Sequence, residues 1–505
     1  MLTVRATLDP AFRIAPIDPR LFGSFVEHMG RCVYGGIYEP GHDDADADGF
    51  RLDVLKLVRD LGVSVVRYPG GNFVSGYRWE DGVGPVADRP RRLDLAWRSV
   101  ETNAFGLNEF MAWTKRAGVE PMLAVNLGTR GIQEACDLLE YANHSGGTHL
   151  SDLRRSHGAE QPHGVRLWCL GNEMDGPWQI GHTTAEDYGR RAAETAKAMR
   201  QVDPDIELVV CGSSNVNMPT FGSWEATVLE HAFDHVDYLS LHAYYEQHGE
   251  DRASFLAAAV GMDRFIEGVV ATADHVAAKK KSRKRLKLSF DEWNLWQESR
   301  FAGQTNLSWA QAPRLIEDTY TTEDAVVFGN LMMTLLRHAD RIAIACLAQL
   351  VNVIGPIRTE PDRPAWAQTI FHPFALTAAH ARGEVLRVEP AVERHDTAEH
   401  GDVPLADVVA TYDEASGAIA VFAVNRHPDR AARLALDVRG FGELRVAEQL
   451  CLGGGDPGEL QATNTADDPQ RVTPRVVSGA ELANGRVTAR LAPVSWNLLR
   501  LVPGA

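Results

Sequence analysis

The chain has 505 residues, 45% apolar and 24% charged, the balance of a soluble globular protein with room for one large domain and a smaller companion. Its formal net charge of −17 argues against a nucleic-acid surface. No basic segment followed by an apolar one opens it, and the most apolar stretch, Ile342 to Gly355, is too short for a bilayer and carries Gln349 and Asn352.

In chain order, the first ten residues read as a strand, and residues 1–15 are expected to join a later sheet. From about residue 21 to 355, short apolar runs alternate with helix-like stretches. The runs are Phe22–Met29, Val63–Tyr68, Met122–Leu127, Val165–Leu170, Glu207–Cys211, Val236–His242, Leu286–Phe290 and Ile342–Leu350. Several are almost wholly apolar, as strands buried on both faces must be. Between them, Asp53–Leu61 has apolar residues at helical spacing, and Thr184-Ala185-Glu186-Asp187 opens another helix with a cap. Eight such units predict a (β/α)8 barrel over residues 16–375. Beyond it, Val408–Tyr412, Ala418–Asn425, Ala432–Val438 and Val487–Leu501 alternate like strands between Gly, Asp and Pro. Residues 376–505 therefore read as an antiparallel β-sandwich, jelly-roll-like. The six cysteines lie far apart without C-x-x-C spacing, which predicts free thiols and a cytoplasmic protein.

Two carboxylate motifs end apolar runs: Gly171-Asn172-Glu173 after the fourth, and Asp291-Glu292-Trp293 after the seventh. Barrel sites gather at the C-terminal ends of strands. Two acids delivered there suit a retaining glycosidase, where one protonates the leaving oxygen and the other attacks the sugar carbon. Polar residues end other runs as well: Glu27 and His28, Arg67 and Asn72, Asn126, His242 and Tyr244, Gln349 and Asn352. A ring of them suits a polyol, which needs a partner for each hydroxyl. Any one alone would be unremarkable, as a loop group satisfied by backbone.

The stretches Trp168-Cys169-Leu170-Gly171-Asn172-Glu173-Met174-Asp175-Gly176-Pro177-Trp178-Gln179, Arg67-Tyr68-Pro69-Gly70-Gly71-Asn72-Phe73 and Asp291-Glu292-Trp293-Asn294 resemble family 51 of the glycoside hydrolases, the intracellular-type α-L-arabinofuranosidases. The resemblance runs along nearly the whole chain. It implies Glu173 as general acid/base and Glu292 as nucleophile. It also implies that Glu27, Asn72, Asn172 and Gln349 bind the furanose hydroxyls, and that Tyr244 bonds the nucleophile. Arg67 resembles the arginine that keeps that carboxylate ionised, and Trp97 and Trp296 fall where aromatics line the pocket entrance. His242 completes the set as a supporting residue. By resemblance the protein is a homo-oligomer, a hexamer.

The expected activity is retaining exo-α-L-arabinofuranosidase action on arabino-oligosaccharides and arabinoxylan fragments, with no cofactor, metal, nucleic acid or membrane partner. Another furanosidase or an endo-β-glycanase on the same barrel, and a non-catalytic sugar-binding protein, stay open as alternatives. Three motifs are set aside. Asp44-x-Asp46-x-Asp48-Gly49 opens like an EF-hand, but Leu55 stands where the bidentate Glu belongs. Gly82-x-Gly84-x-x-Ala87 follows no strand and contains Pro85. The run Lys279–Arg285 reads as a solvated helix end.

Overall fold

The computed structural model describes residues 1–301 and 308–504. At its centre eight parallel strands close into a barrel: β1 (Gly23–Phe25), β2 (Val65–Tyr68), β3 (Glu120–Val125), β4 (Leu167–Leu170), β5 (Glu207–Val210), β6 (Tyr238–Tyr245), β7 (Lys287–Leu295) and β8 (Ile342–Ala348). Strand order follows sequence order, and β8 closes on β1 through Cys346–Gly23, Leu347–Ser24 and Ala348–Phe25. Each of the eight apolar runs supplies one strand. Alternate residues such as Val65, Met122, Ala124, Leu167, Cys169 and Cys346 fill the interior. Those between them, such as Val66, Leu123, Val125, Trp168 and Leu170, pack in the larger core between barrel and helices. Apolar residues are thus required on both faces, which is why the runs stood out.

Strand ends depart from expectation. β1 keeps only three residues of Phe22–Met29, because the chain turns out of the barrel after Phe25 and Met29 N already donates to Glu27 O at 2.8 Å. β6 and β7 run past their predicted ends to Tyr245 and Leu295. Register shifts interrupt them between Ser240 and His242 and between Phe290 and Trp293. Glu292 therefore lies inside β7 rather than beyond it. The irregularity lets the consecutive residues Asp291 and Glu292 lie together between Phe290 and Trp293, which both pack outward, whereas a regular pleat would send the two acids to opposite faces.

The C-terminal part is a two-sheet sandwich. One sheet has the order Arg13–Pro16, Glu384–Leu386, Ala406–Asp413, Ala418–Asn425, Ser495–Pro503, Leu444–Gly453, Arg475–Val476. The other has the order Leu2–Thr7, Ala432–Asp437, Arg486–Leu491, Glu481–Ala483. Pairing is antiparallel except that Leu2–Thr7 runs parallel to Ala432–Asp437. Barrel and sandwich share a core across the buried helix Thr322–Arg337. A Cβ at Gly329 would lie 2.4 Å from Trp496, so the sheet approaches as closely as a glycine allows. The buried Arg426 guanidinium donates to Asn330 Oδ1 at 2.7 and 2.9 Å, tying the layers together.

The N-terminal end of the barrel is closed by Arg20, which donates to Glu120 at 2.7 and 2.8 Å and to Glu207 at 2.9 and 3.3 Å. Three cations of the basic run meet acids: Lys280 lies 3.4 Å from Asp234, Arg285 lies 2.7 Å from Asp340, and Lys279 pairs with Glu230. In the acidic loop, Asp46 and Asp48 both pair with Arg116. Among the described residues no helix is long and apolar enough to cross a membrane.

Candidate active site

Loops and strand ends at the C-terminal mouth bring the two predicted acids together. Glu173 follows β4 through Gly171, which takes φ +91°, and itself adopts φ +44°, a conformation that costs a non-glycine residue energy. Its Oε2 accepts from Trp178 Nε1 at 2.6 Å, and its Oε1 lies 2.9 Å from His242 Nδ1. Glu292 Oε1 accepts from Arg67 Nη1 at 2.7 Å, and its Oε2 accepts from Tyr244 OH at 2.7 Å. One oxygen of each acid and one His242 nitrogen all lie within 4.8 Å of one another.

The Gly70-Gly71 turn after β2 makes this closeness possible. A Cβ on Gly71 would sit 2.7 Å from Glu292 Oε1, and one on Gly70 would sit 2.7 Å from Glu27 Cγ. Any side chain there would displace an acid.

Around the acids, Arg67 Nη2 donates to Asn172 Oδ1 at 2.7 Å, so one guanidinium orients both Asn172 and Glu292. Glu27 Oε1 accepts from Trp97 Nε1 at 3.0 Å and Phe73 N at 2.9 Å, and its Oε2 accepts from Gln349 Nε2 at 3.1 Å. Asn72 heads the short helix Asn72–Gly76, half-buried, with its side chain bonded to no described residue. Trp296 packs edge-on against Tyr244, ring centroids 5.3 Å apart. Three other residues of the predicted ring are held elsewhere. Asn126 donates to Tyr77 O and Thr129 Oγ1 in its own loop. Asn352 braces Arg31 O and Thr359. His28 turns to Glu101 and Tyr68.

Crowding of buried carboxylates shifts their neighbours. Burial, and then the negative Glu292, push the Glu27 carboxyl up to about 8. For His242, burial alone favours the neutral ring. The carboxylates of Glu292, Asp291 and Glu173 outweigh it and raise the imidazole to about 10. Burial works against the Arg67 charge too, yet Asp291 and Glu292 hold the guanidinium firmly protonated. Glu173, His242 and Glu292 could in principle ligate a cation. Their atoms, however, already face Trp178, Arg67 and Tyr244, and an added cation would meet Arg67 and a protonated imidazole at close range.

Two family models match the chain: the α-L-arabinofuranosidase 1 domain over residues 57–258 and the α-L-arabinofuranosidase C-terminal domain over residues 291–495. An intracellular exo-α-(1→5)-L-arabinofuranosidase of Streptomyces lividans is 59% identical over 503 residues, covering 99% of this chain and 75% of the relative. The chain belongs to the family 51 α-L-arabinofuranosidases. An exo-α-(1→6)-L-arabinofuranosidase of Bifidobacterium longum is 53% identical, covering 98% of this chain and 97% of its own. The solved family 51 enzyme from Bifidobacterium longum superposes with a TM-score of 0.94 at 46% identity, covering 99% of each chain.

Within this family 51 site, sequence reasoning passed over two side chains. Trp178 is 49% exposed yet gives its indole N–H to Glu173. Its signal was a large aromatic after Gly176-Pro177, five residues past the acid. Asp291 was read only as a flank of Glu292. It is buried, with Oδ1 3.2 Å from His242 Nε2 and Oδ2 3.6 Å from Arg67 Nε. Nothing in the sequence showed that it shares a side with Glu292, because the irregularity between Phe290 and Trp293 sets that.

Proposed function

We propose that this chain is a retaining exo-α-L-arabinofuranosidase that removes terminal α-L-arabinofuranosyl residues by double displacement. One observation carries the reading: an oxygen of Glu173 lies within 4.8 Å of an oxygen of Glu292. Retaining pairs sit about 5–5.5 Å apart, whereas inverting pairs stand about 6.5–9.5 Å apart to admit a water between acid and sugar. Glu292, bonded by Arg67 and Tyr244, is the nucleophile. It attacks the anomeric carbon while Glu173 hands its proton to the departing glycosidic oxygen. An arabinosyl ester on Glu292 results. Glu173, now ionised, takes a proton from water, the water oxygen attacks the same carbon, and Glu292 leaves. Two inversions restore the α configuration.

Glu27, Asn72, Asn172 and Gln349 hold the sugar hydroxyls. Trp97 and Trp296 wall the entrance, and Arg67, His242 and Tyr244 set the charge and direction of the acids. Trp178 places its indole beside the leaving-group side of Glu173. Relatives named for intracellular exo action on α-(1→5) links support a cytoplasmic enzyme for arabino-oligosaccharides and arabinoxylan fragments. Assembly as a homo-oligomer belongs to the same proposal. Incubation with α-(1→5)-arabinopentaose should release monosaccharide stepwise, with the tetrasaccharide as the first companion product, and NMR during the first turnovers should show the α anomer first. Initial β anomer, or release of disaccharide units before monosaccharide, would overturn the reading. Inertness toward every arabinofuranoside in a folded preparation would favour a sugar-binding protein.

A further inference from the structure

Behind the sugar-facing wall lies a second buried acid–imidazole pair that the two-acid chemistry leaves unused. His28 Nδ1 lies 2.9 Å from Glu101 Oε2, and its Nε2 lies 2.8 Å from Tyr68 OH. The imidazole stacks on Phe73, centroids 4.8 Å apart at 23°. Glu101 Oε1 accepts from Tyr34 OH and, at 2.6 Å, from Asn103 N. Both residues of the pair are buried.

Their neighbours in sequence are the residues that meet at the site. His28 directly follows Glu27. Glu101 ends the hairpin of Arg92–Asp94 and Ser99–Glu101, whose connecting turn carries Trp97. Phe73 follows Asn72. On the site side these segments converge on one oxygen, Glu27 Oε1, which accepts from Trp97 Nε1 at 3.0 Å and from Phe73 N at 2.9 Å. Behind it the same segments converge again through His28, Glu101 and the Phe73 ring. A single hydrogen bond between two loops lets them pivot about it. A second tie, offset from the first, removes the pivot. Stability alone is a poor reason for a buried polar pair, since apolar residues of similar volume would serve at least as well.

We propose that His28 and Glu101 are positioning residues: they fix the Trp97 hairpin against the Glu27 loop and so set the wall that receives the arabinofuranosyl ring. This rests on the reading that Glu27 and Trp97 face the sugar. Neither His28 nor Glu101 touches the reacting atoms, so their loss should appear in binding of the sugar ring rather than in the chemical step.

The test measures kcat and KM on 4-nitrophenyl α-L-arabinofuranoside, the inhibition constant of L-arabinose, and Tm. Glu101→Gln keeps the size of the side chain and removes the charge facing His28. KM and the arabinose constant should each rise by about ten-fold, with kcat within about two-fold of the parent. Trp97→Phe removes the indole donor and should raise the same two constants. The double variant should be no weaker than Trp97→Phe alone, because both changes release one wall. Tyr34→Phe, a gentler change, should shift both constants in the same direction by about two- to three-fold. A lowered Tm with unchanged KM and arabinose constant in either Glu101→Gln or Tyr34→Phe would reduce the pair to a structural role. Fully multiplicative losses in the double variant would also overturn the proposal. The underlying reading is tested separately by Glu27→Gln. Unchanged sugar binding in that variant would remove Glu27 from the wall, whatever Glu101→Gln shows.

Discussion

At the N-terminal end of the barrel, Arg20 bridges Glu120 and Glu207 with four hydrogen bonds, and Tyr238 OH donates to Glu207 at 2.5 Å. At the C-terminal end, Arg67 answers Glu292 and Asp291, while Glu27 and Glu173 stand close by with the His242 imidazole between Glu173 and Glu292. The bottom satisfies all four carboxylate oxygens of Glu120 and Glu207 with hydrogen bonds from Arg20. Although burial works against it, hydrogen bonds from Arg20 and Tyr238 hold Glu207 below its usual range. The top does not. Arg67 Nε, His242 Nε2 and Asp291 Oδ1 are buried without a well-aligned hydrogen bond, and Glu27 and His242 are driven far from their ordinary values. A partly exposed charge cluster thus serves stability at one end, whereas a fully buried one serves reactivity at the other, where some stability is given up to hold several carboxylates together.

The sharpest way to break that contrast is to remove an acid from the mouth. Glu292→Ala should cut turnover by about 10⁴-fold or more, because no glycosyl ester can form, while Tm holds or rises. Near-parental activity, or unfolding, would put Glu292 in the same class as Glu120 and Glu207. Glu173→Ala comes next, with a loss of about 10²–10⁴-fold on arabino-oligosaccharides. An aryl arabinoside with a good leaving group should form the ester far more readily, and added azide should then yield the arabinosyl azide with the substrate's own anomeric configuration. The opposite anomer would reverse the assignment of the two acids. Azide with Glu292→Ala should instead invert, entering from the vacated face.

At the bottom the expected effect is on stability. Arg20→Met leaves Glu120 and Glu207 facing each other across the barrel end and should cost about 1–3 kcal/mol in denaturant unfolding, with kcat nearly unchanged. A large loss of kcat without a loss of stability would erase the distinction between the ends. The last effect, at Glu27, is a dependence on pH rather than a fixed loss. Its carboxyl titrates near 8 when folded and near 4.3 when unfolded, so the folded state holds the extra proton in between. The stability it contributes is fully present below about 4.3 and is lost as pH rises toward 8. Glu27→Gln should therefore raise Tm more at pH 8 than at pH 5. An equal shift at both would mean that Glu27 is not strained by its neighbours.

Which parts were legible in the sequence follows the same division. The barrel strands showed as apolar runs because both of their faces are buried, and Thr184 announced its helix by accepting from Asp187 N as a cap. Glu173 and Glu292 were legible as polar breaks in those runs. Asp291, Trp178 and the turning-away of His28, Asn126 and Asn352 were not. Each depends on where a strand irregularity or loop aims a side chain, and that direction is set by contacts of the folded chain, from Asn126 with Thr129 in its own loop to Asn352 with Arg31, 321 residues away. The parallel pairing of Leu2–Thr7 was equally hidden, since an alternating strand does not name its partner.

That pairing has a consequence for how the chain is made. Leu2 leaves the ribosome roughly 430 residues ahead of Ala432, the residue it finally lies beside. At about 5–20 residues per second, the strand waits about 20–90 s with no neighbour on either edge. Leu2, Val4 and Ala6 point one way, and Thr3, Arg5 and Thr7 the other. In that interval Arg5 supplies the charge that keeps such an edge from recruiting the same segment of another nascent chain.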